Sequence, residues 1–169
     1  RRSDDVGWLH RDSVAGFSGT GYMVVPENSA QDGVTRWETA SELAFEVSIG
    51  DPGPYWIAVR RRAMDSGDDS GRFGVDNRVR SSNAFSDTAS GWRWTAAASL
   101  GQLEKGIRVV QIRRREDGFE LDRIAIADAP EKLPRAGSQE IGPPRSAAMS
   151  DSVSTKAPDA GGQRRKRAR

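Results

Sequence analysis

The sequence of 169 residues contains no cysteine and a single histidine, His10. The first absence excludes disulfides and thiolate-held metal. The second leaves serine–histidine catalysis and histidine-rich metal sites without their residues. Aromatics are scarce at 7%, and hydrophobic residues reach only 36%. That is too little apolar side chain for a core spanning the whole chain, so part of it is expected to stay unpacked. No run approaches the roughly 20 apolar residues of a membrane-spanning helix. No stretch sustains a helical period. The chain opens Arg1-Arg2-Ser3, with neither Met nor a signal peptide, and reads as a segment of a longer protein.

The near balance of 26 basic against 24 acidic residues hides an asymmetry. Residues 130–169 hold nine of the basic and four of the acidic residues, leaving 17 and 20 for residues 1–129. The body is therefore slightly acidic, which argues against a general phosphate-binding surface there. From Pro130 on, Pro, Ser, Ala, Gly and charge dominate and no aromatic recurs. The expectation is one domain over 1–129 and a disordered basic tail over 130–169, ending in Arg164-Arg165-Lys166-Arg167. Any contact with nucleic acid is expected through that tail alone.

What is present is a succession of short apolar alternations. Leu43, Phe45, Val47 and Ile49 follow the period of a half-buried strand. Further strands are expected over 22–25, 55–62, 72–75 and 92–95. Residues 80–91 and 96–105 read as connections. The densest signal lies in 106–128, where two β-branched runs flank Glu116-Asp117-Gly118. An Asp-Gly pair between apolar runs predicts a hairpin, with Gly118 at positive φ. Apolar parity slips between Leu121 and Ile124, which predicts a bulge near Asp122. Together these features indicate an all-β antiparallel sandwich. Gly16, Gly19 and Gly21 lack the preceding strand and following helix that a phosphate loop needs.

The candidate chemistry is that of binding. Asp65, Asp68 and Asp69 share a loop and supply hard oxygens suited to calcium, or else form a solvated acidic turn. Trp92 and Trp94 share a strand face; with Tyr55 and Trp56 they are either core or platforms for a sugar ring. Asn83, Asp87 and Glu120 are the polar neighbours. The triplets Arg60, Arg61, Arg62 and Arg113, Arg114, Arg115 are expected to solubilise strand ends beside Glu46 and Glu116, or to contact acidic sugars.

One ordered set of motifs carries a resemblance. Gly21-Tyr22 with Pro26-Glu27, Leu43-Ala-Phe-Glu-Val, Pro54-Tyr-Trp-Ile-Ala-Val-Arg60, Asp69-Ser70 with Val75-Asp76, Trp92-Arg-Trp94 and the 106–128 stretch follow one another in order. The set resembles the galactose-binding-like jelly rolls of carbohydrate-binding module families 6 and 35, over residues 16–128. The resemblance implies a non-catalytic jelly roll that binds polysaccharide, linked to a carbohydrate-active enzyme and secreted or otherwise extracytoplasmic. It implies sugars at the loop end, on aromatics and an Asn before the last strand. Glu120 stands in place of that Asn, so it is expected to accept from sugar hydroxyls and to repel uronic acids. It also implies a structural calcium at the last-strand Asp, here Asp122, whose usual Glu-x-Glu partner has no counterpart before residue 27. The rival expectation is a structural or protein-interaction sandwich with no sugar site.

Overall fold

The computed structural model describes residues 7–27 and 36–144. Among them the chain forms ten strands: β1 Leu9–Arg11, β2 Tyr22–Val24, β3 Glu42–Ile49, β4 Gly53–Ala63, β5 Gly71–Val75, β6 Arg78–Ala84, β7 Ala89–Trp94, β8 Ala98–Leu103, β9 Gly106–Arg114 and β10 Glu120–Ala127. A single 3-10 turn follows at Pro130–Lys132. Among the described residues no helix is long and apolar enough to cross a membrane. One sheet runs β1-β2-β10-β4-β7, with β8 pairing the first half of β4. The other runs β3-β9-β5-β6. Every pairing is antiparallel, and the two sheets enclose one main core, as the strand pattern predicts.

The alternation in β3 is realised in full. Leu43, Phe45, Val47 and Ile49 turn inward, while Glu42, Ala44, Glu46 and Ser48 are exposed. Against them pack Ile57 and Val59 of β4, Phe73 and Val75 of β5, Val110 and Ile112 of β9, and Leu121 of β10. Each such buried side chain contributes about 1.5–3 kcal/mol.

The stretch 106–128 departs from the expected hairpin. β9 and β10 do not pair: β9 lies between β3 and β5, and β10 between β2 and β4. The turn is an arch that carries the chain from one sheet to the other. Gly118 has φ 69°, as the Asp-Gly pair predicts. Its N–H donates to Val25 O at 2.8 Å, and Val25 N–H donates to Phe119 O at 3.2 Å. A shared apolar face reads the same whether two strands lie side by side or stacked across a core, so periodicity alone does not separate the two. The bulge sits where parity predicts: Asp122 is the extra residue between the β4 partners of Leu121 and Arg123.

Two further strands occupy expected connections. β6 runs into the stretch 80–91 read as a connection, because it is a mostly exposed edge strand with little apolar signal. β8 buries only Leu100 and Leu103, and Gly101 interrupts it at φ 80°.

The expected boundary at residue 129 is also corrected. Residues 130–144 run as a strap across the outer face of the β10-β4-β7 sheet. Leu133 is buried with Ala58 and Trp94. Trp94 N–H donates to Ser138 O at 3.0 Å, and Gly137 N–H donates to Trp94 O at 2.8 Å. The strap is held mainly through its backbone, which composition does not register. The basic run at 164–167 lies outside the described residues.

Two substitutions test this packing. Leu133→Ala is expected to cost about 2 kcal/mol by removing a buried side chain; an unchanged denaturation midpoint would show that the strap does not pack. Gly118→Val is expected to cost more than about 1 kcal/mol, because a β-branched residue is strained at that φ. Equal urea midpoints for Gly118→Val and the parent would place the arch elsewhere.

Candidate functional site

Four connections meet at one end of the sandwich: those after β2, between β4 and β5, between β6 and β7, and the 115–119 arch. They bring together Glu27, Asp68 and Asp117, whose carboxylate oxygens lie within 4.8 Å of one another. Asp68 and Asp117 are buried, and Glu27 is exposed. Like charges this close raise each other's energy unless a cation or donors compensate them. Gly118 is the only residue type that fits between them. A Cβ there would lie 2.6 Å from Glu27 Oε2 and collide with Asp68.

Around this cluster the end of the core is unusually charged. Arg61 follows Ile57 and Val59 on the inward face of β4 and is 2% exposed. Among the described residues its Nε and Nη1 have no hydrogen-bond partner. Burial holds its pKa below the ordinary arginine value, against the attraction of Asp87 and Asp69. The Asp69 carboxyl is pushed above its ordinary value, chiefly by burial, while Arg61 and Arg115 oppose the shift. Arg115 pairs with Glu116 and donates to Ser70 Oγ; Glu116 accepts from Ser70 N–H at 2.8 Å. Phe85 packs on Phe73 and Phe119 with φ 71°, a conformation that costs a bulky residue about 1–3 kcal/mol. Such strain persists only where neighbours over-determine it, and it gathers at binding sites. Trp8 is half-buried beside Phe119 at 6.1 Å, and its Nε1–H donates to Ser41 O at 3.3 Å.

Of the residues expected from sequence, Asp68, Asp69 and Asp87 lie at this end. Asn83 lies close by, exposed, with its Oδ1 accepting from Ser86 Oγ at 2.7 Å. Asp65 accepts from Gly67 N–H at 2.7 Å in the same loop as Asp68. The partners of Asp68 in the carboxylate cluster are Glu27 and Asp117 rather than Asp65 and Asp69; they come from other loops, and sequence spacing does not join them. Trp8, half-buried at this end, is an aromatic that the expected platforms do not include.

The expected aromatic platforms lie elsewhere. Trp92 is buried against Tyr22, ring centroids 5.0 Å apart, and its Nε1–H donates to Ala15 O at 3.0 Å. Trp94 is 1% exposed under the strap. Trp56 is half-buried against Ala58, Trp94 and Leu133, and Tyr55 donates its hydroxyl to Asp51 O at 3.0 Å. Glu120 is not an isolated charge. It forms a two-point pair with Arg62, at 2.5 Å from Nε and 2.8 Å from Nη2. That pair cancels the charge expected to repel uronic acids.

Asp122 likewise departs from its expected metal role. Its side chain is fully buried and pairs with Arg60 at 2.5 Å. Its other oxygen accepts from Ser18 N–H and Oγ–H, both at 2.8 Å. A cation already stands where the metal is expected. Nor do the arginine triplets solubilise strand ends: Arg60, Arg61, Arg113 and Arg114 are all buried. Arg113 stacks 4.3 Å from the Trp37 ring and pairs with Glu42 rather than Glu46.

No protein-family model matches the chain, and no curated protein matches it. Solved structures do match in fold. A family 35 carbohydrate-binding module from Clostridium thermocellum aligns at TM-score 0.56 and 16% identity, over 73% of this chain and 89% of that one. A family 35 module from Paenibacillus barcinonensis aligns at 0.55 and 16%, over 72% and 89%. A Podospora anserina mannanase that joins a glycoside hydrolase of family 26 to a family 35 module aligns at 0.51 and 20%, over 76% of this chain and 26% of that one. The fold is thus the jelly roll of family 35 modules, as the ordered motifs predict.

Asp122→Ala removes one partner of a buried pair and is expected to cost about 3 kcal/mol or more. Chemical denaturation measures it, and a loss below about 1 kcal/mol would mean that solvent reaches Arg60.

Proposed function

We propose that this chain is a non-catalytic carbohydrate-binding module that holds polysaccharide at its loop end, with a calcium ion at Glu27, Asp68 and Asp117. The observation that carries the reading is the three-carboxylate cluster at the loop end of a jelly roll. Carboxylate oxygens are the donors calcium takes, and three of them come from three separate connections. The ion would neutralise the cluster and tie those connections together. Trp8 supplies the half-exposed aromatic beside it, while Asn83 and Asp87 supply polar contacts for sugar hydroxyls. The neighbours support the class. One is a family 35 module in complex with a disaccharide that contains glucuronic acid, and another is part of a β-(1,4)-mannanase. By the same likeness the parent protein is a secreted, carbohydrate-active one with a linked catalytic domain.

Calcium at a hundredfold excess over its Kd is expected to raise the thermal midpoint by roughly 5–10 °C. Asp117→Asn is expected to abolish that rise. A glycan array, run with calcium and with chelator, is expected to give calcium-dependent signals that Trp8→Ala removes. Folded protein with no signal on any glycan would replace this reading with that of a structural domain.

A further inference from the structure

Cysteine is absent, so the sulfur of this chain is that of Met23, Met64 and Met149. Met149 lies outside the described residues. Met23 is half-buried in β2, whereas Met64 is 60% exposed, more than any other large apolar side chain among the described residues. Met64 directly follows β4 and opens the connection that carries Asp65 and Asp68. Its sulfur has a cationic neighbour: Arg62 Nη1 donates to Met64 Sδ at 3.1 Å. The other side of the same guanidinium holds Glu120 at the start of β10, from Nε at 2.5 Å and from Nη2 at 2.8 Å. Arg62 thus joins two elements through two acceptors of unequal strength, a carboxylate and a thioether. The thioether is the weak one.

We infer that Met64 is a site of reversible oxidation by hydroperoxides, and that Arg62 holds its sulfoxide as a latch between the β4–β5 connection and β10. In the step, a sulfur lone pair attacks one oxygen of hydrogen peroxide. The O–O bond breaks and an S–O bond forms. The hydroxide released takes the proton of the transferred hydroxyl and leaves as water. Sulfur loses two electrons, and the peroxide gains them. The new oxygen carries partial negative charge and forms on the sulfur that Arg62 already faces. Its bond to the guanidinium is charge-assisted, the stronger class of hydrogen bond. Glu120 keeps its two bonds, because Nη1 is not among the donors it uses. Methionine oxidation ordinarily loosens a protein by turning an apolar contact polar. Met64 has little packing to lose, so here the new bond sets the sign. Neither Met64 nor Arg62 belongs to the carboxylate cluster, so the latch stands apart from the calcium reading.

The test exposes the full chain to hydrogen peroxide in the presence of chelator. Peptide mass mapping reads the added oxygen at each methionine, and thermal melting reads the latch. Met64 is expected to oxidise about tenfold faster than Met23. The midpoint is expected to rise by roughly 2–4 °C with it. Met64→Leu is expected to show no rise under the same treatment, and methionine sulfoxide reductase is expected to return the oxidised parent to its starting midpoint. Equal oxidation of Met23 and Met64 overturns the inference. So does a midpoint that stays level or falls once Met64 is oxidised, and so does a rise that Met64→Leu shares.

Discussion

The buried pair of Arg60 and Asp122 is the constraint on which much of the outer face depends. Arg60 is held at three points: by Asp122, by Gly16 O at 3.0 Å and by Gln139 O at 2.7 Å. Asp122 in turn accepts from Ser18. One ion pair thus ties β4, β10, the segment before β2 and the strap after β10. A buried charge is stable only when it is both paired and hydrogen-bonded, and here both groups meet that condition through chain segments remote in sequence. The bulge makes it possible. Without the extra residue, Asp122 and Arg123 would fall on opposite faces; with it, both face outward beside Arg60.

The same economy explains why tryptophans that look like platforms are covered. Trp92 and Trp94 share the outer face of the sheet, where the N-terminal segment lies on one and the strap on the other. Their indole N–H groups find carbonyl partners, as buried indoles require. Spacing predicted the shared face correctly. Whether a face is solvated or covered depends on where the termini run, and that is a tertiary fact.

Legibility varied with the source of the signal. The β3 alternation, the bulge at Asp122 and the positive φ of Gly118 are local, and each follows from neighbouring residues. The arch reads as a hairpin in sequence because stacking and pairing leave the same periodicity. Edge strand β6 leaves little alternation in the sequence because most of its residues face solvent. The carboxylate cluster draws Glu27, Asp68 and Asp117 from three connections, so no motif spacing contains it. Only Asp68 of the three was marked by its acidic loop. The arginine triplets suggest surface charge, yet four of the six residues are buried, where Asp122, Glu42 and backbone carbonyls receive several of their donors.

The central claim is that the loop end holds calcium and, with it, polysaccharide. It is met most directly by titrating calcium into the apo chain by isothermal calorimetry, first alone and then in the presence of a soluble glycan drawn from the array. The account predicts one calcium per chain, lost in Asp117→Asn, with tighter calcium binding when the glycan is present, since binding linkage is reciprocal. A chain that binds no calcium in either titration, or that binds it with an affinity indifferent to glycan, would contradict it.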